Sequence, residues 1–388
     1  MNVIFLSPHF PPNWFLFCAA LQRLGVNVLG IGETPYEMLP FHVRQVLTDY
    51  FRVDYMEDYQ QVLRATAYFT YHYGKIDRID SHNEHWLDLE AHIRTDFNMA
   101  GPKLDTIDGM KLKSLMKHKL LAAGVPVAKG TRVKTIKEAR RFLEEVGYPV
   151  VVKPDKGVGA SFTYKLENEQ QLEKFFAEKP PVDFFMEEFV VGTINTFDGL
   201  TDRDGKPVFY TSHVMSDGIM EVVNEDKHVA YYSQREIPED LQEMGFKALK
   251  AFDVRERFFH FEFFLVPTIN RWVALEVNIR PPGGFTMDMF NYACDIDMYQ
   301  QWANILVNNQ FTTDYFRKYH CCYVGRKKKI PYAHPHEQVM AKYRSIMAEH
   351  IVMPELFRRA MGDYAYMIRS PELDVIKEAT AYMHAVQA

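Results

Sequence analysis

The sequence predicts a mixed chain, α/β over its first hundred residues and α+β beyond, and three observations carry that prediction. Short apolar runs alternate with helical periodicity from Val3 to Phe97. The texture changes at Asp108, where a lysine-studded amphipathic stretch begins. From Phe184 onward, runs rich in β-formers follow one another closely and culminate in RFFHFEFFLVPTINRWVALEVN, which reads as a hairpin.

Each element has its own signal. Val3 to Leu6 is a short buried strand, followed by a Pro-rich loop, a helix from near Asn13 to Gly25, and the strand VNVLGIG. This β-α-β opening continues with FRVDYM, a helix through Tyr59 to Tyr73, the strand RIDS, and a helix from about Glu84 to Phe97, which predicts a doubly wound parallel sheet. The first loop, SPHFPPNW, has no glycine, so the dinucleotide fingerprint is absent and a Rossmann NAD site is disfavoured. Residues 109 to 123 carry Met110, Leu112, Leu115, Met116 and Leu120 at helical spacing, and Gly124 closes that helix ahead of Pro126. Next come the strand GTRV, a helix from Ile136 to Gly147, the strand YPVVVKP, the glycine-containing loop DKGVGAS, the strand FTYKL and a helix near Gln170 to Ala177. FFMEEFVVGTINTFDGL and PVFYTSHVM then suggest antiparallel pairing.

Composition excludes several classes. The 388 residues are 47% hydrophobic and 25% charged, so the chain is globular, with room for more than one domain. A net charge of −6 argues against nucleic acid held on a broad cationic surface. No eighteen apolar residues run together, so no membrane span is expected, and the first twenty residues lack the basic start and unbroken apolar core of a signal peptide. Four cysteines without CxxC spacing point to a cytoplasmic location.

Two segments carry chemistry. If the hairpin turn centres on Ile269, Glu262 and Glu276 face each other across the strands, and alternation puts Glu276, Asn278 and Arg280 on one face. Two carboxylates so placed among phenylalanines need a cation; a hard divalent ion with Asn278 as a further oxygen donor supplies it, unless the register differs and one glutamate faces solvent. In DKGVGAS, small residues leave backbone N–H groups open to phosphates, although a plain hairpin turn explains the same residues. Lys153, ending the Val150-Val151-Val152 run beside that loop, is placed to meet an anion, whereas Lys113 is ambiguous, a lysine on an amphipathic helix being usually a solvated face.

In their order and spacing, Lys113, Lys153 with its loop, Glu187-Glu188-Phe189-Val190, Glu262, and Glu276-x-Asn278-x-Arg280 resemble the ATP-grasp superfamily of carboxylate-amine ligases, which includes L-amino acid ligases, biotin carboxylase and D-alanine-D-alanine ligase. The resemblance implies a Rossmann-like pre-ATP-grasp domain at residues 1–105 and a two-lobed ATP-grasp fold. The small lobe with the phosphate loop would occupy 106–185 and the large lobe with the metal-binding hairpin 186–310, with a C-terminal cap segment at 311–388.

It implies ATP and Mg²⁺ as cofactors, with Mn²⁺ as a substitute. Lys113, Lys153, Gly157, Gly159, Ala160, Ser161, Glu187, Phe189 and Val190 would bind ATP, and Glu262, Glu276 and Asn278 the metal. Arg280 and Lys153 would be catalytic, stabilising the transferring phosphoryl group. Ile194 stands where many relatives carry an acidic residue, which moves the expected ribose contact to Asn195 or Asp198.

Arg280-Pro-Pro-Gly283-Gly284 resembles the L-amino acid ligase branch, with a plain turn as the alternative; Arg280, Gly283, Gly284, Glu84 and Arg235 are the candidate substrate contacts. The implied activity is amide formation between small-molecule carboxylate and amine substrates through an acyl phosphate, releasing ADP and phosphate. A purine-pathway or bicarbonate-using ligase and a non-catalytic ATP-binding regulatory subunit are the alternatives. Dimers are common among such proteins, which leaves a homodimer open.

Overall fold

The computed structural model describes residues 1–157, 162–216 and 227–387. Its first sheet has four strands, β1 (Asn2–Leu6), β2 (Asn27–Gly32), β3 (Asp49–Arg52) and β4 (Arg78–Asp80), in the order β3-β2-β1-β4 with every pair parallel. All five residues of β1 are buried, as expected of a central parallel strand covered on both faces. Helices Tyr59–Tyr73 and Leu87–Asp96 pack on one side through Phe69, Ala65 and Ile93. β3 lies at 49–52, earlier than the FRVDYM run that sequence reading selects.

A second four-stranded sheet holds β5 (Gly130–Val133), β6 (Val150–Pro154), β7 (Tyr164–Leu166) and β8 (Phe184–Glu188), in the order β5-β8-β6-β7 and antiparallel throughout. Helices Ile136–Val146 and Glu169–Glu178 cover one face. The first carries a capping box in which the Thr135 hydroxyl accepts from the Glu138 N–H and Glu138 reaches back to the Thr135 N–H.

The third sheet is the largest and has nine strands. β9 (Thr193–Thr201), β10 (Pro207–Thr211), β11 (His213–Met215), β12 (Val229–Ser233), β13 (Phe258–Val266), β14 (Arg271–Asn278), β15 (His320–Arg326), β16 (Met347–Val352) and β17 (Tyr364–Ser370) form it. The path runs β14-β13-β9-β11-β12-β15-β17-β16, with β10 paired to β9. Residues after 311 extend this sheet: β15 bonds to β12, β17 to β15 and β16 to β17. The pattern YAYMIRS marks a strand, but local periodicity does not report its partners, which are β16 on one side and β15, more distant in sequence, on the other.

Alternation along β13 is clean. Phe259, Phe261 and Phe263 enter the core with helices Leu104–Lys111, Lys113–Ala122 and Glu239–Phe252, while His260, Glu262 and Phe264 point to the opposite face. Glu262 does pair with Glu276, for a reason the sequence symmetry did not contain. From the turn, Val266 pairs with Arg271 and Phe263 with Ala274, a register that would set Glu262 against Leu275. A β-bulge at Leu275 inserts one residue and brings Glu276 opposite Glu262 on the same face.

The helix expected over 109–123 is broken in two at Leu112, whose backbone is extended (φ −83, ψ 115). The break comes from 40 residues downstream. The Lys113 N–H donates to the Asp155 carbonyl at 2.9 Å, and Ser114 donates its N–H and hydroxyl to the Asp155 carboxylate at 2.8 and 2.9 Å. Asp155 therefore supplies acceptors for the orphan donors of a new helix start, and Lys113 becomes its first residue.

Candidate functional site

A cleft of about 660 Å³ lies between the second sheet and the bare face of the third. Its floor is built by alternation alone: Thr196 and Asp198 of β9, His260 and Glu262 of β13, and Glu276 and Asn278 of β14 all project into it. Lys113, Lys117, Lys153 and Glu187 line its wall, with Phe189, Val190 and Ile194 at an apolar end.

The cations of the wall are held by buried carboxylates. Glu187 lies between two lysines, with Lys153 Nζ at 2.5 Å and Lys117 Nζ at 2.7 Å. Burial would raise the Glu187 carboxyl, but Lys117 and Lys153 outweigh it and hold the group down at about 2. Burial pushes the Lys117 ammonium down, while Glu187 and Glu276 win over burial at Lys153 and push it up. Lys113 Nζ stands 3.7 Å from Glu276 Oε1 and donates to the Gly157 carbonyl at 3.4 Å, which joins the floor to the start of the loop.

On the floor, Asp198 is fully buried between two histidines: His260 Nδ1 at 2.6 Å and His213 Nδ1 at 2.8 Å, with the Thr196 hydroxyl also donating to it. His260 reaches Glu262 Oε1 through Nε2 at 3.4 Å. Burial works against its charge, but Asp198 and Glu262 raise it to about 9, so this ring is an imidazolium at neutral pH. Glu276 has a looser partner in Lys113, 3.7 Å away. Burial pushes its carboxyl up, aided by Glu84 and Glu262 and opposed by Lys113. A carboxylate left in that state, opposite a second one and beside the Asn278 amide, is a donor set that suits a hard divalent cation. Among the described residues no group of three or more His, Cys, Asp or Glu gathers as a ready metal shell, so the fit rests on these two glutamates and the amide oxygen.

Arg280 follows β14 into the cleft, its Nη2 3.1 Å from Glu84 Oε2 and its Nη1 donating to the Pro281 carbonyl at 2.8 Å. Gly283 and Gly284 line the same end. Gly284 has φ +65, and a Cβ there would come within 2.8 Å of Met361 Cε, so the turn needs a glycine.

The structure thus gathers Glu84, Lys113, Lys153, Glu187, Phe189, Val190, Glu262, Glu276, Asn278, Arg280, Gly283 and Gly284 around one cleft. Gly157 stands at the loop's start, within reach of Lys113, while Gly159, Ala160 and Ser161 lie outside the described residues. Arg235 is elsewhere: its guanidinium donates to the carbonyls of Arg317 and Pro371, so it is not available to a substrate in the cleft. Glu187 does not stand free toward a base, being committed to two ammonium groups. Neither proposed ribose contact is free. Asn195 bonds Gln234 and the Thr193 carbonyl, and Asp198 is enclosed by its histidines. Lys117 and His260 were not singled out from sequence. The four-residue spacing of Lys113 and Lys117 and the two-residue spacing of His260 and Glu262 were the available signals.

Known proteins agree with this architecture. Residues 113–189 match the family model for the ATP-binding domain of carbamoyl-phosphate synthase L chain. An L-arginine-specific L-amino acid ligase of Bacillus subtilis is 32% identical over 104 residues, 27% of this chain and 25% of that protein. The aligned stretch therefore spans about a quarter of that relative's length. Across nearly the whole fold, an L-amino acid ligase from Bacillus licheniformis superimposes with TM-score 0.74 at 15% identity, covering 98% of this chain and 96% of its own. N5-carboxyaminoimidazole synthetase from Staphylococcus aureus, complexed with ADP, gives 0.73 at 12% identity and covers 98% and 96%. Residues 113–189 therefore carry the sequence match to an ATP-binding domain, and the whole chain shares the fold of these ligases.

Proposed function

We propose that the chain is an ATP-dependent carboxylate-amine ligase that joins small amino-acid-like substrates through an acyl phosphate, releasing ADP and phosphate. The observation that carries the reading is the pairing of Glu262 with Glu276 on the cleft floor, within ion-pair reach of Lys113 and facing a wall that presents Lys153. ATP would lie with its base at the apolar end near Phe189, Val190 and Ile194 and its phosphates toward the lysines. Glu262, Glu276 and Asn278 would hold Mg²⁺, which when bound neutralises phosphate charge and orients the γ-phosphoryl group for transfer.

The chain's own groups account for the rest. Lys113 and Lys153 stabilise charge on the phosphate oxygens, and Arg280, held by Glu84, is aimed at the end where a carboxylate substrate would enter. Exclusion of water from the cleft would protect the acyl phosphate from hydrolysis. The amine then attacks the acyl carbon and phosphate leaves. With Lys153 already occupied by Glu187, phosphate must compete for the ammonium, so nucleotide binding redistributes the Lys117–Glu187–Lys153 charges rather than meeting free cations.

Incubation with ATP, Mg²⁺ and a panel of amino-acid pairs should release phosphate for particular pairs. The likeness to N5-carboxyaminoimidazole synthetase supports a second reading, a purine-pathway or bicarbonate-using ligase. Bicarbonate-dependent phosphate release without amino acids would favour it. No ADP from any of these substrates would leave a non-catalytic ATP-binding subunit.

A further inference from the structure

A second cavity, of about 440 Å³, opens on the side of the molecule away from the cleft floor, where the end of β4, the loop at 100–102, helix Glu239–Phe252 and helix Met298–Asn308 meet. Its volume is that of a small-molecule site. Its charge departs from the chain's net −6. Asp80 and Glu90 balance the two buried guanidinium groups of Arg94 and Arg257, with Glu90 2.7 Å from Arg94 and Asp80 3.3 Å from Arg257. Glu256, however, is a single carboxylate shared by two arginines, Arg78 at 2.8 Å and Arg203 at 2.9 Å. One guanidinium charge there is unmatched. Lys119 adds another, since among the described residues no carboxylate lies within ion-pair distance of it and its Nζ sits 5.4 Å over the Phe252 ring.

Buried donors also point to a ligand. Arg94 is fully buried, and its Nε has no hydrogen-bond acceptor although both terminal nitrogens have one. The residue against that edge is Gly101, at φ +112, where a Cβ would come within 2.9 Å of Nε. Glycine keeps position 101 free of a side chain that would crowd this buried edge. An unsatisfied buried donor of this kind costs roughly 1–3 kcal/mol, which an acceptor oxygen would relieve.

We propose that this pocket is a binding site for a small multivalent oxyanion, distinct from the nucleotide cleft. Arg78, Arg203 and Lys119 supply the unmatched charge, and the Arg94 edge a directional donor. Guanidinium forks accept phosphate and carboxylate oxygens alike, so the ligand is either a phosphorylated or a polycarboxylate metabolite. The inference is independent of the ligase reading.

Calorimetric titration of the full chain without Mg²⁺, using inorganic pyrophosphate in one arm and citrate in the other, tests it and separates the two sources. Binding in at least one arm is expected. Lys119→Met and Arg203→Glu should each weaken it by about tenfold or more, while the cleft variant Lys153→Met retains it. The Arg203 side chain is about half exposed, so Arg203→Glu keeps the test available if Lys119→Met unfolds. No binding in either arm overturns the proposal. So does binding that survives both pocket variants, or that Lys153→Met abolishes.

Discussion

Replacing Glu276 by Gln should move activity and stability in opposite directions. The carboxylate is attracted by Lys113 at 3.7 Å, worth about 4 kcal/mol at an effective dielectric of 20. Repulsion from Glu262, opposite it in the hairpin, is about 3 kcal/mol at a separation of about 5 Å on the same basis. Glu84 and burial add to the repulsive side, and together they push the Glu276 carboxyl up. Charge at this position is therefore held at a net cost, and the isosteric amide should leave stability unchanged or raise it by about 1 kcal/mol, a Tm rise of about 1 °C for a chain of this length. If the carboxylate holds Mg²⁺, turnover should fall at least about 100-fold. Phosphate release on the best amino-acid pair, run beside a thermal melt of the same preparation, reads both quantities. Turnover within tenfold of the wild type would refute the metal role, and a Tm several degrees lower would refute the charge argument.

Glu187→Gln should remove an acid-labile contribution: the group sits at about 2 against its ordinary 4.5, so the stability it contributes, about 3 kcal/mol, is complete above pH 4.5 and lost as pH falls from there through 2. Denaturant titrations across that window should be steeper in pH for the wild type than for the variant, although the variant starts lower because Lys117 and Lys153 lose their partner. His384, half-buried against the His228 ring at 3.7 Å and pushed down to about 3 by that burial, gives the same sign in a higher window. The unfolded chain takes up that proton below about 6.5 and the folded one does not, so stability drains between pH 6.5 and 3, and His384→Gln should flatten the slope of the melting temperature there. Gly199→Ala should fail to fold or lose roughly 3 kcal/mol, because its Cβ would lie 2.1 Å from the Phe209 carbonyl and 2.5 Å from the Phe259 ring inside the sheet; a normal melt would contradict the packing at β9 and β10.

Much of the site was legible because its parts obey local periodicity. Glu276, Asn278 and Arg280 alternate on one strand, and Lys153 ends an apolar run beside small residues, so residue type and spacing identified them before any contact was known. Charge partners were not legible. Glu187 was expected to face a base, but it sits between Lys117 and Lys153, which come from a helix and a strand 36 residues apart. Arg235 was a reasonable carboxylate contact by type alone, yet two backbone carbonyls hold it.

By itself the sequence determined the alternation of elements, the faces of β13 and β14 and the hairpin between them, since these follow from side-chain period and turn residues acting over a few positions. Tertiary structure decided whatever depends on groups brought from afar. Asp155 ends one helix and starts another at Leu112, and the bulge at Leu275 sets the two glutamates against each other. Residues 320–370 become strands of the central sheet through hydrogen bonds to distant partners. A backbone donor takes the nearest unsatisfied acceptor in space, and spatial proximity of that kind is fixed only once the sheets have packed.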